Sequence, residues 1–446
     1  MPAPLDHALL GRQLRDLLSR GHSTGPQLRA ILGISQPVFS RLARKTNGVL
    51  SVGPRSARKY ALIREIIGVV TPISVYDLGP DTPRRLGRLT PIHPSGFWYE
   101  SDGTGRFYDD LPWFLQDLRP VGYLGRLVPR VHADLALPAD IRLWNDRATL
   151  TYLTRRASDP IGALLLGDES YQAFLQQFNR PARGIGGGER AQRYPALAVD
   201  VLAQGPAGSS AAGEQAKFLT RRDDVPVIVK FSPPSTGPAA IRTADLLIAE
   251  HIALEVLRSA GREAALSELV LAEERVFLEV QRFDRDGGRR IGQISMAAVD
   301  AEHVGLLGDW TATARALCDA GVISRSDREE IRYRDLFGKF IANSDRHLGN
   351  VSFRLQGDVL AGVAPTYDML PMHYRPVQGE VIDRPWAPPL PNASDADIAR
   401  EAWNAARLFW EQTAAHPRIS QGFRDLAAEN LMALRGLAPV LSMLPV

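Results

Sequence analysis

Cysteine is nearly absent: the 446-residue chain carries one, Cys318. A single thiol excludes an internal disulfide framework, and without a CxxC pair there is neither a cysteine zinc site nor a dithiol redox centre. The expected compartment is therefore reducing, the cytoplasm. Long apolar runs are missing as well. The opening MPAPLDHALLGRQLRDLLSRG is broken by charge every few residues, unlike a signal peptide, and no stretch reaches the roughly 20 apolar residues of a membrane helix. Neither secretion nor a membrane anchor is expected. A large excess of one charge is also lacking, the net being +3, but the balance is uneven along the chain. Residues 1–70 hold eleven Lys/Arg against three Asp/Glu, a local +8, which leaves −5 on the remainder. That asymmetry describes a polyanion-binding head on a mildly acidic body. With 45% hydrophobic residues the body can bury sizeable cores, and its length suggests about three domains.

The head reads as three helices. Leu9, Leu10, Leu14, Leu17 and Leu18 recur at helical spacing and Gly21 ends that run. Pro26 opens a second helix with Leu28, Ile31 and Leu32 on its apolar face, and Gly33 supplies the turn. Ser35 is placed to cap a third, in which Val38, Phe39 and Leu42 point inward. Gln36, Ser40, Arg41, Arg44 and Lys45 are left on the exposed face, where they suit base edges and phosphates. GISQPVFSR resembles the turn and recognition helix of helix-turn-helix proteins. Downstream, VLSV and KYAL flank GPRSAR and predict a two-stranded wing with Arg55, Arg58 and Lys59 near its tip. The plainer alternative is a solvated helical domain used for dimerisation.

From about residue 71 the texture changes to short apolar runs broken by Gly and Pro, which predicts small strands and turns, and FYDDLPWFLQDLRPVGYLGR reads as partly helical. GIGGGER does not complete a GxGxxG phosphate loop and reads as a flexible connector.

The string IANSDRHLGNVSF carries chemistry. It sets Asp345 and Asn350 five positions apart on one tight connection, the interval between the catalytic-loop aspartate and the metal-binding asparagine of protein kinases. Phosphoryl transfer needs that pairing, because one group must meet the attacking hydroxyl while the other holds magnesium a few ångströms away. APTYDML supplies a second carboxylate, Asp368, at the end of a strand-like segment. DVPVIVKFSPP ends alternating valines on Lys230, in the manner of a phosphate-gripping strand lysine. Glu250 lies amid Leu246, Ala253, Leu254 and Leu257, and an acid inside an apolar stripe requires a buried cation, for which Lys230 is the candidate. The preceding GPAGSSAAGEQAKF is not a Walker A loop, but its glycines and serines can present N–H groups to phosphate.

Taken in order, SAAGEQAK, VIVKFSPP, VQRFDR, NSDRHLGN and PTYDML resemble the HipA family of bacterial toxin serine/threonine kinases over roughly residues 72–446, in its long single-chain branch with a fused helix-turn-helix. The resemblance implies an α+β, two-lobed protein-kinase-like fold of HipA type, preceded by a winged helix-turn-helix and a small β-rich subdomain. The expected boundaries are 1–70, 71–175, 176–285 and 286–446. It implies ATP and Mg2+ as cofactors, Asp345 as catalytic base, and Asn350 and Asp368 as magnesium ligands. Ala212, Gly213, Glu214, Gln215, Ala216, Lys217 and Lys230 would lie on the phosphates. Backbone at Gln281 and Phe283 would hold adenine, with His347 lining the site. Ser210, or its neighbour Ser209, would be the autophosphorylated residue. Expected partners are a protein substrate, an aminoacyl-tRNA synthetase or a translation factor, together with operator DNA and a separate antitoxin; a homodimer is the prior for a symmetric DNA reader. Two other readings stay open at this point. One is a DNA-binding regulator whose kinase fold only senses ATP, and the other is a nuclease using Asp345 and Asp368 as metal ligands.

Overall fold

The computed structural model describes residues 6–54, 57–79, 82–180, 183–204, 215–287, 289–382 and 384–444. They form two compact units: residues 1–119, 143–160 and 164–179 make the first, and the remainder the second.

In the first unit α1 (His7–Ser19) starts where the Asp6 carboxylate accepts from the Ala8 and Leu9 N–H groups, both at 3.0 Å. Leu10, Leu14 and Leu18 bury one narrow stripe and Leu9 faces solvent. After β1 (Ser23–Thr24), the Thr24 N–H donates to Gln27 Oε1 and caps α2 (Gly25–Leu32), which Gly33 ends in the left-handed conformation at φ 63°. Ile31, expected on the apolar face, is 65% exposed, because Leu28 alone makes the deep contact. α3 (Gln36–Lys45) buries Phe39, Leu42 and Ala43, with Val38 only half-buried. β2 (Val49–Val52) and β3 (Lys59–Leu62) pair antiparallel, with Val52 opposite Lys59, in a sheet of order β1-β3-β2.

The same unit contains β4 (Ile73–Asp77), β5 (Arg84–Pro91), β6 (Phe97–Ser101) and β7 (Thr104–Tyr108). The 3-10 segment Trp113–Leu118 follows, and α4 (Gly122–Val131) belongs to the second unit. α5 (Asp146–Arg155), β8 (Leu164–Leu166) and α6 (Asp168–Asn179) complete the first, whose larger sheet has the order β7-β6-β5-β4-β8. Val52 and Ala61 of the head pack with Ile92 and Trp98 of this sheet. Arg64 crosses the same seam, donating to Ile92 O and to Asp146 Oδ2 at 2.6 Å. Head and β-rich segment therefore share a core across residue 70.

The second unit begins with α4 and α7 (Arg190–Gln204) and a four-stranded antiparallel sheet, β11-β12-β10-β9. Its strands are β9 (Lys217–Arg222), β10 (Val225–Phe231), β11 (Ser267–Ala272) and β12 (Arg275–Gln281). The glycine-rich stretch before α7 is not a loose connector. Ile185 bridges to Arg222, and a Cβ on Gly184 would lie 1.7 Å from Asp223 O. Val227, Val229 and Phe231 point to the α7 side, packing with Tyr194, Ala198, Phe218 and Phe277. α8 (Pro238–Ser259) covers the other face. Then come β13 (Arg285–Asp286), β14 (Arg289–Arg290), β15 (Gly292–Ser295), α9 (Met296–His303), α10 (Trp310–Asp319) and α11 (Arg325–Phe340). β16 (Ser352–Gln356) and β17 (Val359–Val363) extend β15 into a three-stranded sheet. α12 (Ala396–Ala415), α13 (Gln421–Arg435) and α14 (Ala438–Met443) close the helical part. Asp395 stands at the N-cap of α12. Among the described residues no helix is long and apolar enough to cross a membrane.

Candidate active site

Strand alternation determines which way Lys230 faces. With Val227, Val229 and Phe231 turned to the α7 side, Lys230 must project toward α8. On α8, Glu250 sits among buried Leu246, Ala253, Leu254 and Leu257. The two meet, Lys230 Nζ lying 2.5 Å from Glu250 Oε1, and Nζ also lies 2.5 Å from Asp368 Oδ1. Lys230 and Glu250 are 6% and 1% exposed, whereas the Asp368 side chain keeps 35% of its surface. Asp368 holds a left-handed backbone, φ 52°, uncommon for a non-glycine residue and typical of sites where strain is retained for a purpose.

A second cation completes the cluster. Lys217 stands directly opposite Lys230 across the β9–β10 ladder and so shares its face. Like charges placed directly opposite are unfavourable unless carboxylates lie between them, and Lys217 acts electrostatically on both Glu250 and Asp368. Burial pushes the Lys230 pKa down, but Asp368 and Glu250 outweigh that and raise it. Burial raises the Glu250 carboxyl, with Lys230 opposing. Burial also pushes Asp368 upward, but Lys230 and then Lys217 hold it at about 2.

The Asp345–Asn350 connection follows α11 and is braced by groups the sequence reading did not single out. Buried Asn343 accepts from the Asp345 N–H at 3.0 Å, and its Nδ2 lies 3.5 Å from Met369 Sδ, next to Asp368. Asn350 Nδ2 donates to Asp345 O at 2.9 Å, which leaves Oδ1 as its remaining acceptor. Tyr367 Oη donates to Gly349 O at 2.9 Å and lies 2.6 Å from Ser352 Oγ. Trp310 Nε1 donates to His347 O at 2.8 Å, and the exposed His347 ring accepts the Gly349 N–H through Nδ1. Asp335, fully buried in α11, accepts from Arg346 Nε at 2.9 Å, Lys339 Nζ at 2.7 Å and Thr311 Oγ1 at 2.8 Å. The Tyr367 and Asn343 contacts tie the Asp345–Asn350 loop to the Asp368 segment.

The Gln281 N–H at the end of β12 donates to Leu266 O, so that N–H is not available to a base. The Phe283 ring lies 5.7 Å from Tyr367, and beside it the buried Arg282–Asp284 pair (2.9 Å) and Arg285 fix the strand exit. Burial raises the Asp284 carboxyl, but Arg282 and Arg285 bring it below the usual carboxylate range. Gln215 Nε2 donates to Phe231 O at 2.6 Å and Ala216 O accepts from the Phe231 N–H, so both fasten the start of β9. Ala212, Gly213, Glu214, Ser209 and Ser210 lie outside the described residues.

In the first unit Gln36, Arg41, Arg44 and Lys45 are exposed along α3, and Ser40 is half-buried, accepting from Gln36 Nε2 at 3.3 Å. Arg58 is exposed, and Arg55 lies outside the described residues. Lys59 belongs to β3 rather than to the turn, and its ammonium sits 5.5 Å from the centre of the Phe107 ring.

Residues 71–175 match the middle domain of YjjJ-like toxins, and residues 209–430 match the HipA-like C-terminal domain. The chain is 37% identical to Toxin YjjJ of Escherichia coli (strain K12) over 430 residues, covering 94% of this chain and 96% of that protein. Among solved structures, the HipA–HipB–operator DNA complex of Shewanella oneidensis MR-1 contains a chain that aligns at 15% identity and TM-score 0.48, over 82% of this chain and 96% of that one. The Helicobacter pylori proinflammatory kinase CtkA aligns at 12% identity and TM-score 0.34, over 49% and 90%. On the full-length identity to the Escherichia coli protein, this chain belongs to the HipA-like toxin family.

Proposed function

We propose that the chain is an ATP- and magnesium-dependent protein serine/threonine kinase whose basic head binds DNA. The observation that carries this reading is the meeting of Lys230, Lys217, Glu250 and Asp368 on one sheet face, tied through Asn343 and Tyr367 to the loop bearing Asp345 and Asn350. This donor set fits a magnesium–triphosphate. Magnesium takes one or two protein ligands and fills its shell with phosphate oxygens and water, and Asp368 with Asn350 Oδ1 offers that number. When bound, the nucleotide supplies the transferable phosphoryl group and the metal neutralises its oxygens. Lys230 and Lys217 would hold phosphate oxygens, Glu250 keeps Lys230 aimed, and Asp368 would serve as a metal ligand. Asp345 accepts the hydrogen bond of the incoming serine hydroxyl, and Asn350 holds Asp345 O in place. His347 and the backbone at Phe283 line the nucleotide, with the Gln281 carbonyl left for the base.

By family, the protein target is an aminoacyl-tRNA synthetase or a translation factor, Ser209 or Ser210 is the self-modified residue, and the protein works in the cytoplasm beside an antitoxin. The head gives it operator binding through α3 and the β2–β3 turn, and with that control of its own promoter. Incubation with γ-labelled ATP and magnesium, beside Asp345→Asn, tests the kinase; label on Ser209 or Ser210 in the parent alone is expected. Equal label in both proteins refutes the role of Asp345. No label, with specific DNA binding intact, leaves the regulator that only senses ATP.

A further inference from the structure

The polar residues of α3 divide into two groups. Gln36, Ser40 and Arg44 recur every fourth residue along one stripe and are joined to each other, Gln36 Nε2 to Ser40 Oγ at 3.3 Å and Arg44 Nε to Ser40 O at 3.1 Å. Arg41 and Lys45 lie on the adjacent stripe, turned toward α1. There they meet His7, Arg12 and Arg15 around a cleft of about 340 Å3 floored by Gly11, Leu42 and Thr46. Among the described residues no carboxylate lines this cleft; Asp6, whose carboxylate caps α1, feels Arg12 from outside its lining. Arg15 is fixed in place, its Nη1 donating to Asn47 O at 2.8 Å. Four permanent cations around one hollow repel each other, and an anion entering it removes that repulsion. Neither the sequence motif nor the wing accounts for Arg12 and Arg15.

We infer that the α1–α3 cleft holds the DNA phosphate backbone, while the Gln36–Ser40–Arg44 stripe meets the base edges. The inference rests on the DNA-binding reading of the head. It places one strand of the duplex along α1, so that Arg12, Arg15, Arg41 and Lys45 set the depth and register of α3 and carry no sequence preference themselves.

The test is binding of the full-length chain, by fluorescence anisotropy from 50 to 200 mM KCl, to a random-sequence 30-base-pair duplex and to the DNA upstream of its own gene. Each lost phosphate contact lowers the slope of log affinity on log salt by about 0.9. Arg12→Ala/Arg15→Ala is expected to lower it by about 1.8, so the parent loses about 12-fold more affinity than the variant across that salt range. Both duplexes should weaken alike. Arg12→Ala alone, at an exposed position with no structural bond to lose, should give half that change in slope, and Gln36→Ala none. If the parent binds both duplexes and the Arg12 and Arg15 variants keep its slope, the cleft is not a phosphate site. If the parent binds neither, the DNA-binding reading falls and the cleft assignment with it.

Discussion

Lys230→Met is the most informative single change, because it leaves Glu250 and Asp368 facing each other without the cation that holds them together. Removing one partner of a buried ion pair costs about 3–5 kcal/mol, and Glu250, at 1% exposure, has no water to turn to. The same reasoning fixes the pH dependence. Glu250 already has a raised pKa in the folded chain and rises further without Lys230. A raised acid favours folding below its unfolded pKa and opposes it increasingly as pH climbs through the folded value, so the variant suffers most near neutrality. Asp368 adds in the same direction. Its depressed value, about 2, stabilises the parent above the ordinary carboxylate range, and this is lost as pH falls from about 4 to 2. In Lys230→Met that depression is weakened, Lys217 being left to sustain it alone among the lysines, so the gap between parent and variant narrows as pH is lowered. Adding Glu250→Gln to Lys230→Met removes the second stranded charge and is expected to recover about half of the loss, since deleting both partners of a buried pair costs far less than deleting one. Urea unfolding of the four proteins of this cycle at pH 7 and pH 5 measures it. A Lys230→Met penalty below about 1 kcal/mol, equal at both pH values, refutes the assignment of a buried, mutually dependent triad, as does a double variant less stable than the single one.

Further outcomes follow from other contacts. His251 packs against Ser267 Oγ at 2.9 Å, and burial, then Arg258 and His416, push its pKa down to about 4. A depressed histidine stabilises the fold above its unfolded value, so about 2–4 kcal/mol should be lost as pH falls from 6.5 to 4, and His251→Gln should flatten that part of the unfolding profile. Trp310→Phe deletes the bond to His347 O and should cost about 1 kcal/mol of stability, with a larger fall in kcat than rise in KM for phosphate transfer, because the loop bearing Asp345 loosens. Gly184→Ala must displace Asp223 O from 1.7 Å; a drop in Tm of several degrees is expected, and an unchanged Tm would contradict the bridge at Ile185.

The parts of the site set by local periodicity were legible in the sequence. Alternating valines on β10 fix the face of Lys230, the apolar neighbours of Glu250 announce a buried acid, and the five-residue interval from Asp345 to Asn350 is a short-range constraint. What was illegible depends on register and on long loops. Periodicity says which face Lys217 occupies, but only the pairing of β9 with β10 sets it against Lys230. Trp310 and His347 are 37 residues apart, and no spacing rule joins an indole to a distant carbonyl. Ile31 was assigned inward because three apolar residues share a helical stripe, yet the α1 leucines are filled by Leu28, and a short helix has only one face to give. Similarly, GIGGGER lacks a phosphate-loop pattern because its glycine is required by the close approach of another strand, which composition cannot distinguish from looseness.

The anchoring of α8 bears on how such a site is controlled. Buried Asp245 accepts from the Ser420 N–H at 2.8 Å and its hydroxyl at 2.6 Å, and Arg242 donates to Tyr374 O at 3.3 Å while stacking over Phe423 at 5.0 Å. Both groups lie on the turns of α8 just before Glu250, so the helix that aims Lys230 is bonded directly to the start of α13 and to the segment after Asp368. A helix held this way does not swing without exposing a buried carboxylate and a buried guanidinium, each costly to strand. The Lys230–Glu250 pair is therefore a fixed element of this fold. Asp368 differs from both, being one-third exposed, held at a strained backbone angle and bonded to Lys230 through one oxygen. Of the three charges in contact, it alone can change partners without unpacking a helix, so under the proposed kinase reading a rearrangement on nucleotide binding would fall on the Asp368 segment and its ties to Asn343 and Gly349.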